Sequence, residues 1–300
     1  MLKQMMYLPW WFFRSRILNQ KRPLQTVLFI TDYCNLKCKH CTPAGHECAR
    51  MKPYGQIRKE LIYAYRQGSR FIDFEGGEPT LWRDGDKTLN DLYSLAKEIG
   101  FFSCTLTTNG QRPFENTLAD SVWVSVDGYR SYHDRVRGPG TFDKLDRNIR
   151  TSGHPALSIA MAVNRLNRTS VFDTARYAKE NPAIRSIAFN LHTPFPDTEE
   201  LTLSWQERCE VIDEIIELKR AGYPIMNTIS GLKTMKRRIF TKDCWVANYI
   251  LVDGTCLPQC PGKELDVCDE CGFCMSGEMH ALLRLKPETV FAGMALRLKR

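Results

Sequence analysis

The stretch TDYCNLKCKHC, Thr31–Cys41, places Cys34, Cys38 and Cys41 within eight residues. The apolar run Val27–Ile30 precedes it, and a polar, Gly-containing segment follows. Three thiols are an odd number for disulfides and one short of a closed zinc site. Iron–sulfur clusters are held by closely spaced thiolates, and a CX3CX2C loop supplies three irons of a cubane while leaving the fourth open to another ligand. Zinc is the alternative, with His40 or Cys48 as its fourth ligand.

Working outward, the chain of 300 residues is 43% hydrophobic, enough to bury a substantial core, and its 25% charged and 11% aromatic content argues against disorder. A net charge of +8 favours anionic partners without choosing among them. Of the 12 cysteines, three lie in Cys34–Cys41 and six between Cys244 and Cys274, a clustering that reads as metal sites rather than a disulfide framework. Cys48, Cys104 and Cys209 stand singly, and the last two read as inert thiols. No apolar run approaches the roughly 20 residues of a membrane span. The segment MMYLPWWFFRSRI, Met5–Ile17, is broken by Pro9 and makes a poor signal peptide. Its Trp10, Trp11, Phe12 and Phe13, followed by Arg14, Arg16, Lys21 and Arg22, suit a membrane interface. They suit equally a segment docked on the protein's own surface.

From Gln25 onward, short β-branched or aromatic runs alternate with helical patterns. Strands are expected at Thr26–Thr31, Phe71–Glu75, Phe101–Thr107, Val122–Val126, Leu157–Val163 and Ser186–His192. Helices are expected near Gln56–Gln67, Leu89–Ile99, Phe142–Arg150, Val171–Glu180 and Trp205–Ala221. This alternation predicts an α/β fold, a partial (β/α)6 barrel of TIM type. The unusual residues all follow strands: the cysteines after the first, GGEP (Gly76–Pro79) after the second, TNG (Thr108–Gly110) after the third, Asp127 and Gly128 after the fourth, Asn164 and Asn167 after the fifth. Carboxyl ends of barrel strands share one rim, where active sites are built. The division expected is an aromatic and basic leader over 1–23, a core over 24–223, a cysteine-rich domain over 224–286 and a basic helix over 287–300.

Cys34–Cys41 with His40 before the third cysteine, GGEP, TTNG (Thr107–Gly110), SVDG (Ser125–Gly128) and YHDRVRGPGTF (Tyr132–Phe142) together resemble the radical S-adenosylmethionine (SAM) superfamily over about Leu24–Ala221. The resemblance implies that Cys34, Cys38 and Cys41 hold a [4Fe–4S] cluster whose remaining iron is chelated by SAM. It implies that Gly76, Gly77, Glu78 and Pro79 approach the methionine end of SAM, with Glu78 accepting from its ammonium group. By the same analogy His40, Asn109, Ser125 and Asp127 contact SAM, and Arg137 faces its carboxylate. His133 and Asp134 are expected to shape the loop. No acid–base dyad is required, because the cofactor carries the reactivity.

The second cysteine group runs from Lys242 to Cys274 and begins CX9G, from Cys244 to Gly254. Cys256, Cys260, Cys268, Cys271 and Cys274 follow. It resembles the SPASM or twitch auxiliary-cluster extension, with two departures. It has CX2CX2C where CX2CX5CX3C is expected, and GX5C where GX4C is expected. Six thiolates cannot fully ligate two cubanes, so one auxiliary [4Fe–4S] cluster held by four of the six is expected, with four-thiolate zinc as the alternative.

The implied activity is reductive cleavage of SAM to a 5′-deoxyadenosyl radical, fed by a low-potential flavodoxin- or ferredoxin-type donor. The size, the leader and the cysteine-bearing tail are similar to adenosylhopane-forming radical SAM enzymes. That likeness implies a lipid substrate and membrane docking through Trp10–Phe13 and Arg297–Arg300. A peptide- or protein-modifying maturase is the rival reading, and a non-catalytic iron–sulfur module a remote one. Nucleic acid is not expected as a partner, since no basic and aromatic reading module is visible. The expected location is the cytoplasm or the inner face of a membrane.

Overall fold

The computed structural model describes residues 2–41 and 49–298. Cys48 and the terminal Lys299 and Arg300 lie outside them. In chain order the elements are α1 (Leu2–Arg16), β1 (Gln25–Thr31), α2 (Tyr54–Gln67), β2 (Phe71–Gly76), α3 (Leu89–Ile99), β3 (Ser103–Thr108), β4 (Ser121–Ser125), α4 (Ser131–Arg137) and α5 (Thr141–Thr151). Then come β5 (Leu157–Val163), α6 (Val171–Glu180), β6 (Ser186–Leu191), α7 (Trp205–Arg220), α8 (Ile229–Met235), β7 (Ala247–Ile250), β8 (Cys256–Leu257), α9 (Met275–Leu283) and α10 (Pro287–Leu298).

The strands form one open sheet ordered β6-β5-β4-β3-β2-β1-β7-β8. All neighbours are parallel except the terminal β7–β8 hairpin. The expected six-stranded partial barrel is present, and the start of the cysteine-rich tail lengthens it by two strands beside β1. That tail returns to the far edge, where the Leu191 N–H donates to Gly272 O at 2.8 Å. The segment between β8 and α9 therefore spans from one edge of the sheet to the other.

Strand alternation gives the sheet two chemically different faces. Leu28, Phe74, Leu106, Val124, Ile159 and Phe189 are completely buried beneath the helices, among residues such as Ile57, Leu61 and Leu92. Full burial of each such side chain contributes on the order of 1.5–3 kcal/mol, which fixes the register. The opposite face mixes polar groups with Phe29 and Trp123: Thr107 donates to Asp73 at 3.2 Å, and Thr105–Ser121 and Ser158–Ser186 pair at 3.0 and 2.9 Å.

The leader, read from sequence as a docked or membrane-facing segment, is a helix despite Pro9 in its interior. The Trp11 Nε1–H donates to Arg22 O at 2.8 Å, and the Tyr7 hydroxyl donates to Gly68 O. Tyr7 meets Phe102 edge-on at 5.6 Å, and Trp11 stacks on Trp245 at 5.7 Å. Arg22, Gly68, Phe102 and Trp245 all lie just before strands, so α1 crosses the amino-terminal ends of β1, β2, β3 and β7. Of the four aromatics expected to insert in a bilayer, Trp11 is buried and Phe12 half-buried against the protein.

Candidate functional site

The first cysteine loop leaves the carboxyl end of β1 and is fastened on two sides. On the β2 side, the Gly77 N–H donates to Thr31 O and the Glu78 N–H to Tyr33 O, both at 2.8 Å. A Cβ on Gly76 would lie 2.0 Å from Thr31 O, and one on Gly77 would lie 2.2 Å from Tyr33 O. Gly76 also has a φ of +151°, a conformation side-chain-bearing residues rarely adopt. The double glycine is thus required by the close approach of two backbones. On the α4 side, the Lys39 N–H donates to Val136 O at 2.9 Å.

Glu78 is buried, and both its oxygens are engaged within the protein. Oε1 accepts from the Thr80 and Thr108 hydroxyls at 2.6 and 2.7 Å, and Oε2 from the Asn109 N–H at 2.7 Å. It braces the loops after β2 and β3 together. Pro79 is buried at the start of the short turn that Glu78 caps. Asn109 in turn donates to Asn35 at 2.8 Å, with its amide 3.8 Å from Cys34 Sγ.

Asp127 and Arg137 form the electrostatic centre. Arg137 Nε donates to Asp127 Oδ2 at 2.6 Å, and its Nη1 lies 3.9 Å from Cys38 Sγ. Asp127 Oδ1 accepts from the Ala162 N–H at 2.8 Å, and His40 Nε2 stands 3.5 Å from Oδ2. Burial works to raise the Asp127 pKa, but Arg137, the two neighbouring histidines and the Ala162 N–H outweigh it, leaving the carboxyl at about 2. Burial lowers His40 to about 4 and His133 to about 3, so both rings are neutral. His133 Nδ1 accepts the Asp127 N–H at 3.1 Å and so shapes this loop. Burial pushes the Cys34 and Cys38 thiols up, and Arg137 opposes this at both. Ser125 ends β4, half-buried, in register with Ala160.

Asn164 and Asn167 are fully buried. The Asn167 amide donates to Asp127 O at 3.1 Å and to Ala162 O at 3.0 Å, fixing the loop that carries Asp127.

The second cysteine group divides. Cys244, Cys260 and Cys268 each open or cap a short 3-10 turn, and Cys271 follows the last of these. Cys244 senses the charges of Cys260, Cys268 and Cys271, and together with burial they push its thiol up to about 12. Cys260 and Cys268 also sense Cys271. Cys256 instead sits exposed on β8, with Glu60 and Lys52 as its charged neighbours. Cys274 is buried at the start of α9, its N–H donating to Asn190 Oδ1 at 3.0 Å. Cys274 also senses Cys271, so Cys271 is the common neighbour of Cys244, Cys260, Cys268 and Cys274, and Cys256 stands apart.

Among the described residues, no three His, Cys, Asp or Glu side chains stand close enough to hold a single metal ion. A tetrahedral zinc site needs sulfurs about 2.3 Å from one ion. A cluster places its thiolates on different irons and so takes a wider set. The first cysteine group fits a cluster by the donors around it. At the first, amide and guanidinium donors face the sulfurs, and the buried Nδ1 of His40 has no hydrogen-bond partner among the described residues.

Arg208 is a site residue that sequence pattern does not reveal, because an arginine on an amphipathic helix reads as a surface residue. It is buried, donating to Glu270 O at 2.7 Å, His192 O at 3.1 Å and Leu203 O at 3.3 Å. Among the described residues no carboxylate pairs with it. His192 is buried, its pKa lowered chiefly by that burial, and it feels the charges of both Arg208 and Asp127.

The Radical SAM superfamily pattern matches residues 28–153. The chain carries a radical SAM domain. GTP 3′,8-cyclase from Haemophilus influenzae is 33% identical over 135 residues, 41% of this chain and 39% of the cyclase. A probable GTP 3′,8-cyclase from Methanosarcina mazei is 32% identical over 144 residues, 43% and 41% of the two chains. The chain thus spans about two-fifths of the length of these relatives. Among solved structures, Streptococcus suis SuiB bound to SAM superposes with a TM-score of 0.65 at 17% identity, over 96% of this chain and 72% of SuiB. The structure of anSMEcpe with SAM and a peptide gives 0.60 at 19% identity, over 93% and 84%. These likenesses show the fold, and the radical SAM superfamily uses a [4Fe–4S] cluster together with SAM.

Proposed function

We propose that this chain is an enzyme that cleaves SAM reductively and directs the radical at a polar substrate. The observation that carries the proposal is the meeting, at one rim of the sheet, of the Cys34–Cys41 loop, the Gly76–Pro79 loop and the Asp127–Arg137 pair. When bound, the cluster and SAM supply a 5′-deoxyadenosyl radical after one-electron reduction from a low-potential flavodoxin- or ferredoxin-type donor. The chain's own residues hold and orient. Arg137 offsets negative charge at the thiolates while Asp127 fixes its position. Glu78 and Asn109 lock the facing loops.

Cys244, Cys260, Cys268 and Cys271 are proposed to hold one auxiliary cluster, with Cys274 beside Cys271 and the exposed Cys256 outside it. The inner face bears Asp73, Thr107, Ser158 and Asn190 alongside Phe29 and Trp123, and its polar groups support a substrate that carries hydrogen-bonding groups. The lipid expectation therefore gains no support. Peptide side chains and purine nucleotides, the classes named with the structural neighbours and the cyclases, both meet the requirement.

The test is 5′-deoxyadenosine formation by anaerobically reconstituted protein with strong reductant. Product is expected from the intact chain, and none above background from a Cys34/Cys38/Cys41→Ala triple variant. Equal product from both would overturn the reading.

A further inference from the structure

The exposed side of α1 is not explained by SAM chemistry. Met6, Trp10, Phe13 and Ile17 recur at intervals of four, three and four residues and so share one stripe of the helix. They are 68, 50, 43 and 68% exposed, whereas Trp11, on the docked side, is 5% exposed. The Trp10 and Phe13 rings stack at 5.7 Å on the outer surface, with the Arg14 guanidinium 5.8 Å from the Trp10 ring. Helical geometry puts Lys3 and Arg14 on one flank of the stripe and Arg16 on the other. Residues 1–31 contain five Lys or Arg and no Asp or Glu.

We infer that α1 is an interfacial anchor for an anionic lipid bilayer. An apolar stripe flanked on its own helix by cations matches a membrane surface in both its apolar and its charged requirements. A soluble protein partner would instead call for polar groups of both signs around the rim. No helix among the described residues is long and apolar enough to cross a membrane, so the contact is peripheral. The set that enters the interface is Met6, Trp10, Phe13 and Ile17, since Trp11 and Phe12 are committed to holding the helix on the barrel.

The placement of α1 fixes the orientation. It lies across the amino-terminal ends of the strands, and the cysteine loop leaves their carboxyl ends. β1 has seven residues, so about 20 Å of sheet separates the two. The anchored protein turns its SAM-site rim away from the bilayer, toward a water-borne substrate. This inference is independent of the SAM-cleavage reading.

The experiment is cosedimentation of the intact, cluster-loaded chain with vesicles of phosphatidylcholine alone or with 30% phosphatidylglycerol, a probe composition chosen at about the charge that attracts polybasic segments. Binding to the anionic vesicles is expected to be at least about tenfold stronger and to weaken with salt. A Trp10→Glu/Phe13→Glu variant is expected to lose it at least about tenfold while keeping its iron content and circular dichroism. An Arg14→Glu/Arg16→Glu variant, which leaves the apolar stripe intact, is expected to lose the preference for anionic lipid. Absence of vesicle binding, equal binding to both compositions, or unchanged binding by the variants would overturn the inference. So would a stable dimer in light scattering that the Trp10→Glu/Phe13→Glu change dissolves.

Discussion

Cys34, Cys38 and Cys41 lie on a loop pinned by backbone hydrogen bonds to β2 and α4, and the arginine beside them, Arg137, is paired with a buried carboxylate. Cys244, Cys260, Cys268 and Cys271 lie on three short turns, and the arginine that neighbours Cys271 and Cys274, Arg208, bonds only backbone carbonyls. At the first site the cation is neutralised before any cluster binds. At the second the Arg208 charge is buried, with the Glu270 carboxylate, Cys271 and Cys274 as its opposing neighbours. Arg137 thus belongs to an ion pair that organises a pocket, whereas Arg208 belongs to a backbone clamp with no direct carboxylate partner among the described residues.

The sharpest way to break this contrast is Arg137→Met. Removing one partner leaves Asp127 charged and buried, which costs on the order of 3–5 kcal/mol. Chemical denaturation of the cluster-free protein should show that loss, and a change below about 1 kcal/mol would mean Asp127 finds other compensation. Arg208→Met comes second. It strands three carbonyl acceptors, at about 1–3 kcal/mol, and should lower the reduction potential of the auxiliary cluster by removing an adjacent positive charge. A stability loss with an unchanged potential would reduce Arg208 to a purely mechanical clamp. The smallest effect is expected for Cys256→Ala, within about 0.5 kcal/mol of the parent and with iron content unchanged. Cys268→Ala, by contrast, should lose the iron of one cluster. If Cys256→Ala also loses iron, the division of the six cysteines drawn from their electrostatic neighbours is wrong.

The alternation of β-branched runs with helical patterns placed α3, α6 and β5 at their observed ends, because those segments bury one regular face. The rim residues were legible for the same reason: each follows a strand, and strand ends converge. Less was legible where spacing in sequence says nothing about proximity. The six distal cysteines look equivalent on paper, yet β8 carries Cys256 away while Cys274 is drawn under β6 by Asn190. GGEP reads as a ligand cradle, and the structure adds that its glycines serve a backbone contact and its glutamate a brace. α1 was hidden by Pro9 and by apolar residues on both of its faces, a pattern that arises when one face meets protein and the other is exposed.

The backbone contact between Leu191 and Gly272 carries a further consequence. β6 is the last strand on its side of the sheet, and its outer edge is occupied by Pro224, Met226, Asn227 and Gly272. A Cβ on Gly272 would lie 2.1 Å from Leu191 O, so this cover sits flush against the strand. Unprotected edge strands recruit other chains. A chain whose cysteine-rich segment has come loose through oxidation would bare the end of that edge, so losing iron and beginning to aggregate should be one event.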